Sequence, residues 1–427
     1  MNFHFFYIEG TRYTAMTATD EATVFEASVI ADEAAPPLCD CGLTRQRNGD
    51  HVHTVMDSPA HGARIKVLVS RQRYRCAAGR CKSYMHPLPA VPDGGRNTHR
   101  LRGYIAERVI HRPFSDLAVD TGVDRSTIRR MFDEIAAPKI ANIHANAPRV
   151  LGIDEFKLRG RYRCILTDVE NRRPYDLLEA HNAETVVARL KLMPQGVQVV
   201  VMDMSDNFRA SVTAALPGVV IVADRFHLVK YINGKLVEFR RETRKARRAD
   251  QATKGVKDRR FLLMTRQSDL TDDQQKTLTK WFAAYPGMRE VAEAKWELEK
   301  VYYCANREAA EEHLRMWKAS LGPVAQASFV GVIAQFDRWR EPILAYFDHR
   351  FTAGYTEAMN GIIKDIDQRG RGLAWNVLQA RFILSRDRLV LANARRHSKP
   401  KARHTTRKRT SSRRRRGFSS PSKALEP

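Results

Sequence analysis

The chain has 427 residues, with 43% hydrophobic and 28% charged residues, which is enough material for two to four domains and a large buried core. Its 73 Lys+Arg against 48 Asp+Glu give a formal net charge of +25, so the expected partner is a polyanion, foremost nucleic acid. No apolar run approaches the roughly 18–20 residues that cross a bilayer, and the start "MNFHFFYIEG" lacks a secretory h-region, so a cytoplasmic protein is expected.

Residues 1–35 alternate loosely and read as a short β-like segment, a small hairpin. Residues 36–90 carry four of the six cysteines, in "LCDCG" (Cys39, Cys41) and "YRCAAGRC" (Cys76, Cys81), and end in the Pro/Gly stretch "HPLPAVPDGG". Two close cysteine pairs in a reducing compartment suit a tetrahedral four-thiolate Zn²⁺ site. The first pair is C-x-C rather than C-x-x-C, and His51, His53, His61 and His86 are substitute ligands; the alternative is a set of free thiols. Cys164 and Cys304 fall in strand-like and helix-like patterns and read as small buried hydrophobes.

Residues 97–136 read as short helices. Within them, "FSDLAVDTGVDRSTIRRMF" (114–132) has the spacing of a helix-turn-helix. Ala118 allows close helix approach, Gly122 makes the turn, and Ile128 and Met131 seal the core. Asp124 is placed to cap the second helix, leaving Arg125, Ser126, Thr127, Arg129 and Arg130 outward for a DNA groove. A generic helical hairpin is the competing reading.

From residue 149 the pattern turns β-rich. Strands "RVLGIDEF", "RYRCILTDVE" and "RPYDLLEA" precede helix "NAETVVARLKLM", strand "VQVVVMD", helix "NFRASVTAAL" and strand "VVIVAD". Three hairpin-like strands and then alternating helix and strand predict a mixed sheet with helices packed on it. Asp154 is expected at the end of the first strand and Asp203 at the end of the fourth. If those strands are neighbours, two carboxylates share one edge and repel unless a hard divalent cation such as Mg²⁺ lies between them.

Residues 229–350 read as helical, with Val291, Ala294, Leu298, Val301 and Tyr302, and Leu314, Trp317 and Leu321, at core spacing. The stretch "KLVEFRRETRKARRADQATKGVKDRR" holds eleven Lys/Arg against four acids, either a solvated face or a phosphate contact. Residues 395–416 hold twelve Lys/Arg and no acid, and predict a disordered tail attracted to phosphate without regard to sequence.

The order of cysteine ribbon, helix-turn-helix, "GIDEF", "VVVMDMSDNF", "ADRFHLVK" and "TEAMNGIIKDIDQRGRG" resembles the bacterial insertion-sequence transposases of the ISL3 family, over about residues 36–390. The resemblance implies a DDE enzyme: an α/β RNase H-like catalytic core interrupted by an all-helical insertion, preceded by a zinc ribbon and a helix-turn-helix. It implies the catalytic set Asp154, Asp203 and Glu357, with Asp206 as rival to Asp203, and Asn360 and Lys364 following Glu357 on one helix. Asp224 and His227 of "DRFH" fall in a further signature, with a supporting or a structural role. Two Mg²⁺ ions, a structural Zn²⁺, double-stranded DNA (terminal inverted repeats and target) and a homodimer or larger assembly on DNA are implied. Asp367 and Gln368 stand where relatives are more basic. The core would then occupy 149–228 and 351–394, the insertion 229–350, and the basic tail 395–427. A DNA-binding regulator or transposase remnant without catalysis is the principal alternative, and a Mg²⁺-dependent nuclease without strand transfer is another.

Overall fold

The computed structural model describes residues 8–9, 11–18, 24–31, 36, 38–248, 250, 257, 259–285 and 287–385. The expected basic tail lies outside them.

The N-terminal sheet contains β1 (Thr11–Ala18), β2 (Val24–Ala31), β3 (Arg45–Ala60), β4 (Ala63–Cys76) and the two-residue β5 (Tyr84–Met85). Its order is β1-β2-β4-β3, with β5 paired to β4. β3 and β4 form a long antiparallel hairpin, whose alternating apolar residues Val55, Ile65, Val67 and Val69 are buried on one face. The Pro/Gly stretch is no free linker. Leu88 and Val91 insert into that same core, and buried Asp57 of β3 accepts hydrogen bonds from Thr98 and Arg100. The apolar residues between the prolines fasten the segment down.

Helices α1 (His99–Arg108), α2 (Phe114–Thr121) and α3 (Arg125–His144) follow. The α2–α3 turn is made at Gly122, with φ of 71°, and a Cβ there would lie 2.8 Å from Met56 of β3. The Arg64 guanidinium donates to the Val119 carbonyl across the same contact, at 2.7 Å.

The second sheet has β6 (Val150–Leu158), β7 (Arg161–Asp168) and β8 (Arg173–Leu178), then helix α4 (Ala183–Lys191), β9 (Val199–Met202), α5 (Asp206–Ala215) and β10 (Val220–Ala223). Its order is β10-β9-β6-β7-β8: antiparallel among β6, β7 and β8, parallel from β6 to β9 to β10. β9 is buried along its whole length, as an unbroken apolar run in a parallel strand must be. The first and fourth strands of this sheet are thus neighbours.

Next come α6 (Arg225–Ala246), α7 (Arg260–Met264), α8 (Asp272–Ala284), α9 (Met288–Glu299), α10 (Arg307–Ser320), α11 (Pro323–Arg338) and α12 (Arg340–His349). Val291, Leu298, Val301, Leu314 and Trp317 are buried, and Ala294, Tyr302 and Leu321 pack against them. One apolar cluster runs from Val150 through these helices to Ala353, so the helical region and the sheet share a core. Cys164 is fully buried and Cys304 half-buried.

The last described helices, α13 (Gly354–Gly370) and α14 (Trp375–Ile383), pack on β6–β8. Their approach depends on Gly152 of β6. A Cβ there would lie 2.3 Å from Thr356 Oγ1 and 2.5 Å from Thr167 Oγ1, and those two hydroxyls hydrogen-bond each other at 2.7 Å. A glycine inside a strand marks such a close approach. Gly152→Ala is therefore expected to cost about 1–3 kcal/mol by overpacking. Chemical denaturation would measure it, with partial recovery expected in Gly152→Ala/Thr356→Ala; an unchanged midpoint in the single variant would contradict this contact.

Candidate active site

Asp154 lies inside β6 rather than at its end. Pairing with β7 continues to Leu158, but the parallel pairing with β9 stops at Ile153↔Met202. The acid therefore stands where the parallel ladder opens, and Asp203, the first residue past β9, emerges beside it. Asp154 is buried; its Oδ1 accepts the Glu155 backbone N–H at 2.8 Å, and its Oδ2 accepts from Asn360 Nδ2 at 2.8 Å. Asn360 lies one turn beyond Glu357 on α13.

Two groups of ligand-capable atoms, each within 4.8 Å of one another, meet at one imidazole: Asp154, Asp203 and His227, and Asp224, His227 and Glu357. His227 Nε2 is 4.0 Å from Glu357 Oε1, and Nδ1 is 3.2 Å from Asp224 Oδ2. The other Asp224 oxygen accepts the Ala353 backbone N–H at 3.0 Å. Asp224, completely enclosed at the start of α6, thus ties that helix to the start of α13 and holds His227 as well.

Asp206 is elsewhere. It opens α5, more than half exposed, and pairs with Arg338 at 2.9 Å. Lys364 points to solvent further along α13, and Asp367 is held by Arg159. Among the acids of the second sheet it is Asp203, not Asp206, that joins the cluster.

The electrostatics follow from packing acids together with little water. Burial pushes the Asp154 carboxyl up, and Asp203 up to about 6. Glu357 is raised too, first by burial and then by the charge of Asp224. His227 is raised by its hydrogen bond to Asp224 and by the surrounding carboxylates. Asp203 Oδ1 and Asn360 Oδ1 are buried with no hydrogen-bond partner. Orphaned oxygen acceptors beside crowded carboxylates fit a hard divalent cation, whose charge would offset the repulsion.

The four cysteines also converge. Cys39, Cys41, Cys76 and Cys81 form one group with sulfurs within 4.8 Å, and Cys41 and Cys76 are 3.6 Å apart. Tight turns present them: Gly42 N–H returns to the Cys39 carbonyl at 2.7 Å, and Gly79 N–H to that of Cys76 at 3.1 Å. Backbone N–H groups of Arg80 and Cys81 hold the Cys76 thiol down at about 6, while hydrogen bonding to Cys39 and burial push Cys81 up. Four thiols this close cannot all ionise unless a cation is shared among them, and the donor set fits Zn²⁺. The C-x-C spacing does not prevent convergence. None of the four candidate histidines belongs to this group: His53 is bonded to the Gly95 carbonyl and His86 to Tyr84.

In the helix-turn-helix, Ile128 and Met131 are buried as expected. Asp124 occupies the cap position of α3, but its side chain makes no capping hydrogen bond. Arg125, Ser126 and Arg130 are exposed; Thr127 and Arg129 are half-buried, with Arg129 paired to Asp133. Gly152, Thr167 and Thr356, which set the distance between α13 and β6, stand outside every candidate set named from the sequence. The lone glycine of "GIDEF" was the available signal.

The family model of ISL3-type DDE transposases, described as "Transposase", matches residues 151–382. A second, "Helix-turn-helix domain of transposase family ISL3", matches residues 87–136. A curated relative, the transposase for insertion sequence element IS1001 of Bordetella parapertussis, is 23% identical over 230 residues. That match covers 52% of this chain and 57% of the relative. Among the described residues, no helix is long and apolar enough to cross a membrane.

The raised Asp203 carboxyl has a consequence for stability. Between its ordinary value of 3.8 and about 6, the folded protein keeps a proton that the unfolded chain releases. Metal-free protein therefore loses stability as pH rises through that window, and the loss is complete above it. Asp203→Asn is expected to be more stable than wild type in chelator near neutral pH, by about 1–3 kcal/mol, with the gain shrinking toward about pH 4. Denaturation at several pH values checks this; a variant less stable at neutral pH would contradict it.

Proposed function

This chain belongs to the ISL3 family of insertion-sequence transposases, and we propose that it binds the ends of such an element and catalyses Mg²⁺-dependent DNA strand cleavage and strand transfer. The observation that carries the reading is the convergence of Asp154, Asp203 and Glu357, from β6, the end of β9 and α13, around His227. In this reading the second sheet with α13 and α14 is an RNase H-like core, supported by the order β10-β9-β6-β7-β8, and α6–α12 are its helical insertion. Asp154, Asp203 and Glu357 would hold two Mg²⁺ ions. When bound, these supply an activated water or hydroxyl nucleophile and charge stabilisation at the phosphate.

The chain's own groups do the rest. Asn360 orients Asp154 through its amide, and the orphaned Asn360 oxygen remains available to a ligand. Asp224 fixes His227 and the start of α13, so that Glu357 faces the sheet edge. Water attack on the phosphodiester at the element's end breaks the P–O3′ bond and leaves a 3′-hydroxyl. That hydroxyl then attacks a target phosphate and displaces its 3′-oxygen, with no covalent bond to the protein. The exposed Arg125, Ser126 and Arg130 of α3, together with Thr127 and Arg129, form the duplex-contacting face. Joining two ends calls for at least a dimer on DNA. Zn²⁺ at Cys39, Cys41, Cys76 and Cys81 would rigidify the turns at the end of the β3–β4 hairpin.

Asp154→Asn is expected to retain end binding and to lose cleavage by at least about a thousandfold, on the scale of a removed catalytic group; cleavage at the wild-type rate in Mg²⁺ would sink the assignment. A joining assay with pre-cleaved ends separates the alternatives: a regulator yields nothing, a nuclease yields nicks, a transposase yields joined strands. The purified protein is expected to carry about one zinc per chain by elemental analysis, and Cys76→Ala to lose it; a thiol titration showing four freely reactive cysteines in this group would exclude the metal.

A further inference from the structure

A cleft of about 720 Å³ opens beside Asp203 and His227 and runs along one face of α6. On that face His227, Lys230 and Tyr231, Gly234 and Arg241 follow at helical spacing, with Gln335 of α11 on the opposite wall. From His227 to Arg241 the helix rises about 21 Å, long enough for several nucleotides of an extended strand. A second cleft of about 680 Å³, between α6 and α11, shares Lys235 and Glu238 with the first and continues it.

Three features of the cleft point to one occupant. Lys230 and Arg241 are exposed and make no ion pair among the described residues, whereas Glu238 is neutralised by Lys235 at 2.9 Å. Lys230, Lys235 and Arg241 thus face Asp203 and Glu238 in the first cleft, with Glu242 in its continuation, and the two cations without an ion pair lie on the α6 face that leads away from the acidic centre. Gly234 lies in the interior of α6, where glycine costs about 0.5–1 kcal/mol relative to alanine. Neither packing nor backbone angle explains it: a Cβ there would meet nothing within 4 Å, and its φ is not positive. A bare helix surface on a cleft floor suits a ligand that comes close to the backbone. Tyr231, one turn before Lys235, is half-buried with its hydroxyl beside Gly331 of α11, and its ring offers a platform for a base.

We propose that this α6 cleft holds the single strand of DNA that leads away from the phosphate at the catalytic acids, with Lys230 and Arg241 on its phosphates and its backbone lying across Gly234. This rests on the function proposed above and adds the path of the strand. It also accounts for a helix that begins at the acids and then turns basic: α6 delivers His227 to the centre at one end and Arg241 to the phosphates at the other.

The test is photocross-linking of the full chain to a dT12 oligonucleotide containing 4-thiothymidine, with adducts mapped by peptide mass spectrometry. Adducts are expected on the α6 peptides between residues 225 and 241. Gly234→Gln, a change that favours helix, should keep or raise the melting temperature and reduce those adducts at least about fivefold, because the side chain fills the floor. Lys230→Ala/Arg241→Ala, both solvent-facing, should reduce them as well, and it serves if the first variant does not fold. Adducts confined to other segments in wild type, or unchanged on α6 in both variants, would overturn the proposal. The same map on Asp154→Asn separates the two readings. Cross-links on α6 with cleavage retained in that variant would remove the catalytic assignment and leave the strand path standing. Cleavage that depends on Asp154 with no α6 adducts would do the reverse.

Discussion

The arrangement depends on how closely α13 can approach β6. Three acids lie in separate segments, two where the β6–β9 ladder opens and one on a helix more than 150 residues later in the chain. They meet because Gly152 presents no side chain to Thr356 and Thr167, and because Asp224 anchors the residue before α13. Dense packing leaves no slack to absorb a displaced helix, so a methyl group at this contact reaches the carboxylates. The rest of the centre, from the Asn360 bond to Asp154 to the imidazole of His227, follows from that distance.

The same packing sets the electrostatics. Excluding water makes the ionised state of each carboxyl more costly, and crowding adds mutual repulsion. At the meeting point stands His227, held by Asp224, whose hydrogen bond together with the nearby carboxylates shifts the imidazole toward its protonated form. The cost is a local one, borne by a well-buried sheet and a helical region that share one apolar core. Strain of this sort gathers where chemistry is performed, and a sheet edge whose parallel ladder stops one residue short of Asp154 is a natural place for it.

The N-terminal half follows a different principle. Its sheet and its three helices are joined by polar and steric contacts: Asp57 with Arg100 and Thr98, Arg64 with the Val119 carbonyl, Met56 against Gly122. The cysteine cluster sits at the far end of the β3–β4 hairpin from these joints. The N-terminal sheet and the helix-turn-helix therefore hold a fixed mutual geometry rather than lying as two beads on a string.

Much of this is legible in the sequence itself. Alternating and unbroken apolar runs give the strands of the second sheet and their helices, because a residue's exposure follows the period of its own element. The turn at Gly122 was readable because few residues accept its backbone angle. The cysteine pairs and the acids of "GIDEF", "VVVMD" and "YTEAMNG" could be named as candidates because metal chemistry needs those side chains. What the sequence alone did not decide was anything that depends on distance between segments: Asp203 over Asp206, the inner position of Asp154 on its strand, the pinning of the Pro/Gly stretch, and the cleft along α6. Asp203 and Asp206 are three residues apart and chemically identical. Only the end of β9, turning one toward His227 and releasing the other to Arg338, tells them apart, because that choice is made by packing and not by residue type.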